Sequence, residues 1–243
     1  MPPVIETGHA KNVANFADII SFCTGYGVQY NPGKAALKVV NLNILLTNAQ
    51  QSINQVNVKN TDYNNTVNNR MIAFKALRPL STRIINALSA TDANDEVIKD
   101  AKTINRKIQG QRAKTIEIPV DPNIPAPNNV SASQQSYDQL IEHFERMVIL
   151  LQSELTYLPN EVDLQTAQLE AYKLDLKARN QAVTDAYTAI SNTRITRNDI
   201  LYKAKTGLVD IAYDIKQYIK SLFGASSPQY KQVSGVKFTT PKK

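Results

Sequence analysis

The sequence predicts an all-α protein, an elongated helical bundle built from two tandem pseudo-repeats. Three observations lead to this prediction. Apolar residues recur every seven positions in two long stretches, which is typical of amphipathic helices with a coiled-coil-like seam. One short motif stands at the start of both stretches, 127 positions apart. The 243-residue chain has only 8 Gly and no Trp, a composition that argues against a turn-rich β-sandwich or barrel.

The repeated motif has the frame Tyr-x-Pro-x-x-x-x-Leu, and we call it the Tyr–Pro–Leu motif. It reads "YNPGKAAL" at 30–37 and "YLPNEVDL" at 157–164. A later match, "IAFKA" at 72–76 with "ILYKA" at 200–204, has a spacing of 128, one residue longer. A tandem duplication of a unit near 127 residues explains these matches.

Two long helices are predicted at 34–77 and 161–204, each about 65 Å long at ~1.5 Å per residue. The positions on their sevenfold seam are Ala35, Leu42, Ala49, Val56 and Tyr63 in the first helix and Val162, Leu169, Leu176, Val183 and Ile190 in the second. Pro32 and Pro159 are expected in the first turn, where a missing N–H costs nothing. The tyrosine of each motif is expected to pack back on that turn as an apolar staple.

Shorter helices are predicted on both sides of each long helix. Their ranges are 9–24, 80–90, 135–157 and 208–223. Kinks are expected at Pro79 and Gly207, and Gly224 is expected to cap the last of these helices. The stretch "GVKFT" at 235–239 predicts a short strand.

The predicted domains are a first helical repeat unit at 1–109, a Pro-rich linker at 110–134, and a second helical repeat unit with a basic tail at 135–243. The formal net charge is +7, with +5 in the first repeat and −2 in residues 135–224. Because the halves differ in sign, this pattern permits their mutual attraction as readily as an acidic partner.

A basic segment at 99–114 is the candidate nucleic-acid contact. Lys99, Lys102 and Arg106 fall on one helical face and form a candidate basic patch that could follow phosphates. The segment contains an aspartate and lacks the aromatic residues on which bases stack. We therefore favour a solvated face that docks on the acidic second half, and expect only weak, non-specific binding of nucleic acid.

Residues able to carry chemistry are few and are not arranged for it. Gly27, Gly33 and Lys34 resemble a phosphate-binding loop, but the spacing is one residue too long and alanine follows the lysine. His143 lacks the Glu-x-x-His spacing of a di-iron bundle, and Cys23 has no nucleophile motif around it. We predict a surface or hydrogen-bonded core histidine, a buried cysteine, no enzyme activity, no metal and no cofactor.

The least usual stretch is 41–69, where 13 of 29 residues are Asn or Gln and only Lys59 and Asp62 carry charge. The matching helix of the second repeat carries charged side chains, so the fold does not require these amides. A face partly desolvated in an assembly, a pore lining and an ordinary solvated face all remain open. With Leu42 pointing inward, the candidate interaction face consists of Gln51, Asn54, Asn65 and Asn69.

These features predict a non-catalytic structural or interaction protein: a helical scaffold, adaptor or assembly subunit that binds a protein partner or itself. The alternative is a helical pore-forming or membrane-active protein, suggested by the charge-free residues 39–58. A third reading is a non-specific nucleic-acid binder through the basic first half. The first residues show no signal peptide, and no stretch approaches the ~20 apolar residues of a membrane span. We therefore expect a cytoplasmic protein and no membrane partner.

Overall fold

The computed structural model describes residues 6–111 and 135–240, which form α-helices joined by loops and 3-10 turns, with no strand among them. The helices are α1 Glu6–Gly25, α2 Val39–Lys75, α3 Leu77–Ser89, α4 Asp95–Gln109, α5 Tyr137–Ser153, α6 Thr166–Tyr202, α7 Leu208–Phe223 and α8 Pro228–Ser234. The all-α prediction is confirmed for these residues. Neither α4 nor α8 is among the predicted helices of the core.

The structure divides into two compact units, and each is drawn from both halves of the sequence. Unit 1 contains Met1–Tyr63 and Ala186–Lys243, and unit 2 contains Asn64–Asp185. The reason is that α2 and α6 are continuous helices of 37 residues, and each has one end in each unit. The predicted repeat boundaries at 109 and 134 therefore differ from the boundaries of the compact units. The predicted linker, apart from its first two residues, lies outside the described residues.

The core of unit 1 forms where α1, α7 and α8 pack against one another and against the adjoining parts of α2 and α6. Phe16 and Ile19 of α1 are fully buried against Ile215 and Ile219 of α7 in this cluster. Val233 of α8 is also fully buried. The apolar faces predicted for the first and last of the short helices therefore form one core.

The core of unit 2 contains α4, which contacts both α3 and α5. Ala101 and Ile108 of α4 are fully buried there. Its first turn is capped by Asn94, whose side chain accepts a hydrogen bond from the backbone N–H of Glu96 at 2.9 Å. Its last turn ends at Gly110, in the left-handed conformation with φ 70°. The basic face of this helix was predicted from the sequence, whereas its apolar face was not.

The Tyr–Pro–Leu motif forms a closed loop before each long helix. The Tyr30 hydroxyl donates a hydrogen bond to the carbonyl oxygen of Leu37 at 2.9 Å, and Tyr157 makes the same bond to Leu164 at 3.0 Å. Each loop ends in a 3-10 turn, so the long helices begin five residues later than predicted. The predictions of an apolar staple and of a proline in the first helical turn are wrong. The tyrosine hydroxyl holds these residues in the loop.

The heptad positions in α2 and α6 are buried, apart from Tyr63, but those in the turns before them are not. Those that are buried are Leu42, Ala49, Val56, Leu169, Leu176, Val183 and Ile190. Tyr63 is half-buried, and its ring centroid lies 6.0 Å from that of Tyr187. Ala35 is exposed and Val162 is 64% exposed, so their predicted inward orientation is wrong. Both belong to 3-10 turns, where three residues per turn change the direction of the side chains.

The chain breaks after each long helix, and the two breaks differ in length. α3 begins two residues after the last residue of α2, so Pro79 lies in its first turn, where the missing N–H costs nothing. α7 begins after the five-residue loop 203–207, in which Lys205 has a φ of 67°. The kinks predicted at Pro79 and Gly207 are therefore complete breaks. Because the second loop is longer, α3 and α7 start 131 positions apart, not 128.

The C-terminal segment contains no strand, contrary to the prediction for 235–239. Residues 236–240 follow α8 without regular secondary structure, and their backbone groups bond to side chains instead of to another strand.

The helix α7 spans 208–223 as predicted. Gly224 follows it with φ 91°, and its N–H donates to the carbonyl oxygen of Lys220 at 3.0 Å. The predicted glycine cap is thus confirmed.

Candidate interaction surface

The outer face of α2 in unit 1 carries a row of exposed side chains without charge. We call this row the uncharged stripe, and its members are Val40, Ile44, Thr47, Gln51, Asn54, Val58 and Thr61. Spacings of three or four residues place them on one side of the helix. The other side carries the buried Leu42 and Ala49. The core therefore uses one face of α2, and the uncharged stripe remains accessible.

Three large apolar side chains belong to this stripe and were missed by the sequence analysis. Val40, Ile44 and Val58 are 64%, 55% and 50% exposed. Single exposed apolar residues are common on protein surfaces, whereas a group of them on one face is typical of a contact site. Their spacing from the heptad seam was the available signal, since a helix places such positions opposite the buried ones. The amides stand out in the sequence by their number, whereas the apolar residues between them were not predicted to be exposed.

The polar groups on and beside the stripe are partly satisfied by the helix itself. The Thr47 hydroxyl donates to the carbonyl oxygen of Asn43 at 2.9 Å, and the Thr61 hydroxyl donates to that of Asn57 at 3.1 Å. Lys59 and Asp62, the charged residues of this part of α2, form an ion pair at 3.2 Å. Hydroxyls that already have a hydrogen-bond partner within the protein lose less free energy when they are removed from water. The stripe is therefore less costly to desolvate than a charged surface.

The four predicted interaction residues all lie on α2 and are all exposed. Gln51 and Asn54 belong to the uncharged stripe in unit 1. Asn65 and Asn69 lie further along α2, in unit 2. Sequence reasoning therefore placed these side chains correctly with respect to solvent.

The part of α6 in unit 2 has a charged surface where α2 has amides. Lys173 pairs with Glu170 at 2.6 Å and with Glu145 of α5 at 3.3 Å. Lys177 pairs with Glu145 at 2.9 Å, and this hydrogen bond is the main reason why the pKa of the Glu145 carboxyl is lowered. A long helix of this protein is thus built equally well with ion pairs. The absence of charge from the uncharged stripe is a property of α2 and is not required by the fold.

The candidate basic patch lies on the exposed face of α4. Lys99, Lys102 and Arg106 are all exposed, on the side away from the buried Ala101 and Ile108. Lys99 pairs with a glutamate of its own helix at 2.7 Å. α4 does pack against α5 of the second half, but it does so through its apolar face. The prediction that the basic face docks on the acidic half is therefore wrong.

The residues that resemble a phosphate-binding loop are engaged in other contacts. Lys34 Nζ lies 2.6 Å from the carboxylate of Asp214 in α7. Gly27 and Gly33 belong to the segment between α1 and the 3-10 turn of the first Tyr–Pro–Leu motif.

Cys23 of α1 is fully buried, and burial raises the pKa of its thiol to about 11. Its sulfur is therefore protonated at neutral pH, as expected for a packing residue.

A pocket of about 540 Å³ lies in unit 2 between α3 and the second Tyr–Pro–Leu motif. Ala87 and Tyr157 are among its lining residues. Ala87 is the eleventh residue of α3, and the eleventh residue of α7 is Tyr218, whose ring packs edge-on against Tyr30 at 5.4 Å in unit 1. Unit 2 thus has the small side chain of alanine beside its motif tyrosine, whereas the motif tyrosine of unit 1 packs against a tyrosine ring. The ion pair of Arg83 with Asp163 stands at its edge.

His143 of α5 is neither a surface histidine nor a hydrogen-bonded one, so that prediction is wrong. Its side chain is 4% exposed, and neither ring nitrogen has a hydrogen-bond partner. Burial lowers the pKa of the imidazole, and the positive charges of Lys107 and Arg146 lower it further. The negative charge of Glu142 acts in the opposite direction and raises this pKa. A buried ring without a partner is stable only in its neutral form. We therefore expect protonation of His143 to destabilise unit 2.

We expect His143→Leu to reduce this destabilisation by acid. The folded state lowers the pKa of His143 below its ordinary value of about 6.5, so the unfolded chain binds the proton first. Stability is therefore lost as the pH falls from about 6.5 through the folded pKa. Urea unfolding, followed by circular dichroism at several pH values, measures the free energy of unfolding of both proteins. As the pH is lowered, this free energy should fall less for the variant than for the wild type. A constant difference between them would argue against a protonation of this ring on unfolding.

No group of three or more His, Cys, Asp or Glu side chains suited to a metal ion occurs within residues 6–111 and 135–240. Among the same residues, no helix has the length and hydrophobicity needed to span a bilayer. Comparison of the chain with protein-family models, with curated proteins and with solved structures gave no match.

Proposed function

We propose that this chain is a non-catalytic scaffold, adaptor or assembly subunit that binds protein through the uncharged stripe of α2. The observation that carries the proposal is the group of exposed Val40, Ile44 and Val58 on a face without charge. Burying these three side chains in a contact would be favourable by roughly 25 cal/mol for each Å² of apolar surface removed from water. The intervening threonines and amides would lose less in such a contact than ions would.

A second copy of the chain is the first partner to test. The protein carries a formal net charge of +7, so two copies repel one another on average at long range. A contact between two uncharged stripes brings no like charges together. It also matches apolar and amide side chains with the same kinds of side chain, as the symmetric interfaces of homodimers do.

We also propose that the chain arose by tandem duplication. The same tyrosine-to-carbonyl hydrogen bond closes the two Tyr–Pro–Leu motifs 127 positions apart. α2 and α6 have the same length and begin and end at this same spacing. The buried residues Phe16 and Ile19 of α1 match the buried Phe144 and Met147 of α5 at a spacing of 128. In this history, α2 acquired the uncharged stripe while α6 acquired ion pairs.

The test of the binding proposal is a variant with glutamate at Gln51, Asn54, Asn65 and Asn69. All four side chains are exposed, so each change should alter the free energy of unfolding by no more than about 0.5 kcal/mol. Burying the new charges in a contact would cost several kcal/mol unless they were paired. We therefore expect normal helicity and a normal melting temperature with loss of self-association. Sedimentation of both proteins at equal concentration measures this.

A matched control carries the same number of glutamates on exposed amides elsewhere, at Gln152, Asn160, Gln168 and Asn192. It has the same net charge as the test variant, so it separates the effect of position from that of charge alone. The control should assemble like the wild type. Equal assembly of wild type, test variant and control, or equal loss in both variants, would contradict the role of the stripe.

A further inference from the structure

The C-terminal segment of the chain is held on unit 1 by side chains that bind its backbone. Asn12 of α1 pairs with both backbone groups of Thr239: its Nδ2 donates to the carbonyl oxygen at 2.7 Å, and its Oδ1 accepts from the N–H at 3.0 Å. Asn15, one turn further along α1, donates to the carbonyl oxygen of Lys237 at 2.6 Å. The Lys216 amine of α7 donates to the carbonyl oxygen at position 236. These bonds do not depend on the side chains of the segment.

One side chain of the segment is buried against α7. Phe238 is buried and packs edge-on against Tyr213 of α7, with 6.3 Å between the ring centroids. The amine of Lys216 lies 5.5 Å from the centre of the Phe238 ring, within the range of a cation–π contact. Its neighbours Lys237 and Thr239 are exposed. The groove therefore binds a backbone at several points and one aromatic side chain between them.

The amide groups that bind this backbone are themselves buried and oriented. Asn12 is 1% exposed and Asn15 is 8% exposed. Asn12 also donates to the Tyr202 hydroxyl at 3.2 Å, and that hydroxyl lies 2.6 Å from Nδ1 of His9. Buried amides are costly unless they are hydrogen-bonded. If the segment left, Asn12 and Asn15 would lose partners, so the empty groove would favour the entry of another backbone.

Unit 2 shows that the fold does not need a groove at this place. At the spacing of 128 that relates α1 to α5, Asn12 corresponds to Leu140 and Asn15 to His143. There α5 packs against the helix α4, which satisfies its own backbone hydrogen bonds. A segment without regular secondary structure cannot do this, and it needs polar side chains to supply the partners. Asn12 and Asn15 are thus suited to hold a non-helical peptide.

We propose that this groove is a peptide-binding site, filled here by the chain's own residues 236–240 and able to take the same segment from a second copy. The same segment from a second copy can form all the backbone hydrogen bonds of the internal segment and can bury the same phenylalanine. The site is separate from the uncharged stripe, because it uses α1 and α7 and not α2. Exchange of the segment would link two copies without any contact between their stripes.

The first test measures the binding of a fluorescent peptide of residues 235–243 to full-length chains. Phe238→Ala removes the anchor of the internal segment and leaves the groove intact. We expect this variant to bind the peptide about tenfold or more tightly than the wild type, because the internal segment no longer competes. Adding Asn12→Ala to the variant should weaken peptide binding about tenfold or more. A peptide with alanine in place of its phenylalanine should not bind.

The second test asks whether copies exchange the segment. One full-length variant carries Asn12→Ala and Asn15→Ala, so its groove is damaged and its segment is intact. The other carries Phe238→Ala, so its segment is damaged and its groove is intact. We expect a complex of the two in an equimolar mixture, in excess of any self-association shown by either alone. Analytical ultracentrifugation with one variant labelled detects this complex.

Several outcomes would overturn the proposal. Equal peptide affinity of Phe238→Ala with and without Asn12→Ala would show that the groove does not bind peptide. The lack of a complex in the mixture would show that the segment is not exchanged between copies. If Phe238→Ala loses its helical circular dichroism, Thr239→Pro replaces it, because proline removes the N–H that donates to Asn12 and retains the aromatic anchor.

Discussion

Replacing Leu169 with alanine is expected to lower the free energy of unfolding by about 2–5 kcal/mol. The Leu169 side chain is fully buried in the core of unit 2, where α6 passes the helices of that unit. Removing its methyl groups takes away apolar contacts and leaves a cavity that the surrounding close-packed side chains fill only in part. Urea unfolding followed by circular dichroism at 222 nm gives the change.

Val162→Ala is the matched control for this experiment. Val162 and Leu169 occupy successive positions of the same heptad pattern, but Val162 lies in a 3-10 turn and is 64% exposed. We expect its replacement to change the free energy of unfolding by no more than about 0.5 kcal/mol. Equal destabilisation by the two alanine variants would contradict the finding that Leu169 is buried and Val162 is exposed.

Gly207→Ala is expected to lower the free energy of unfolding by about 1–3 kcal/mol, the usual cost of overpacking. A β-carbon at position 207 would stand 2.6 Å from the backbone nitrogen of Lys203 and 2.8 Å from its carbonyl oxygen. The N–H of Gly207 donates to this same carbonyl at 2.7 Å. The loop between α6 and α7 must therefore shift, and this weakens the hydrogen bond. Thermal unfolding by circular dichroism measures the effect.

Gly235→Ala is the control for the glycine. Gly235 has a φ of −76°, which any residue adopts, and a β-carbon there would meet nothing within 4 Å. We expect alanine at this position to leave the melting temperature unchanged or slightly higher, because it restricts the unfolded chain. A loss of stability at 235 comparable to that at 207 would show that close backbone approach is not the cause at 207.

The inward and outward faces of the long helices were largely readable from the sequence. Periodicity placed Leu42 and Leu169 inside and Gln51 and Asn54 outside, and the structure agrees. The period of a helix is a local property, so the order of apolar and polar residues along the chain is sufficient to assign its faces. The same reasoning failed for Val162, because the chain there is not α-helical.

The candidate surface was predicted in part. The amides Gln51 and Asn54 were selected by composition, whereas Val40, Ile44 and Val58 were not, because apolar residues in a helix are normally assigned to the core. Only the exposed fractions of these three side chains in the folded structure show that they lie outside the core. The residues that bind the C-terminal segment could not be found at all, since asparagine in a predicted helix has no distinctive signal.

The sequence by itself determined that the described chain is helical, where the long helices lie, and which of their faces turn inward. Only the tertiary structure decided where those helices begin, because a tyrosine hydroxyl bonds to a carbonyl seven residues away and keeps the intervening residues in a loop. It also decided that each compact unit takes residues from both halves of the chain. The clearest case is the pairing of Asn12 with Thr239, 227 positions apart. Such a contact depends on the folded path of the backbone, and no local pattern encodes it.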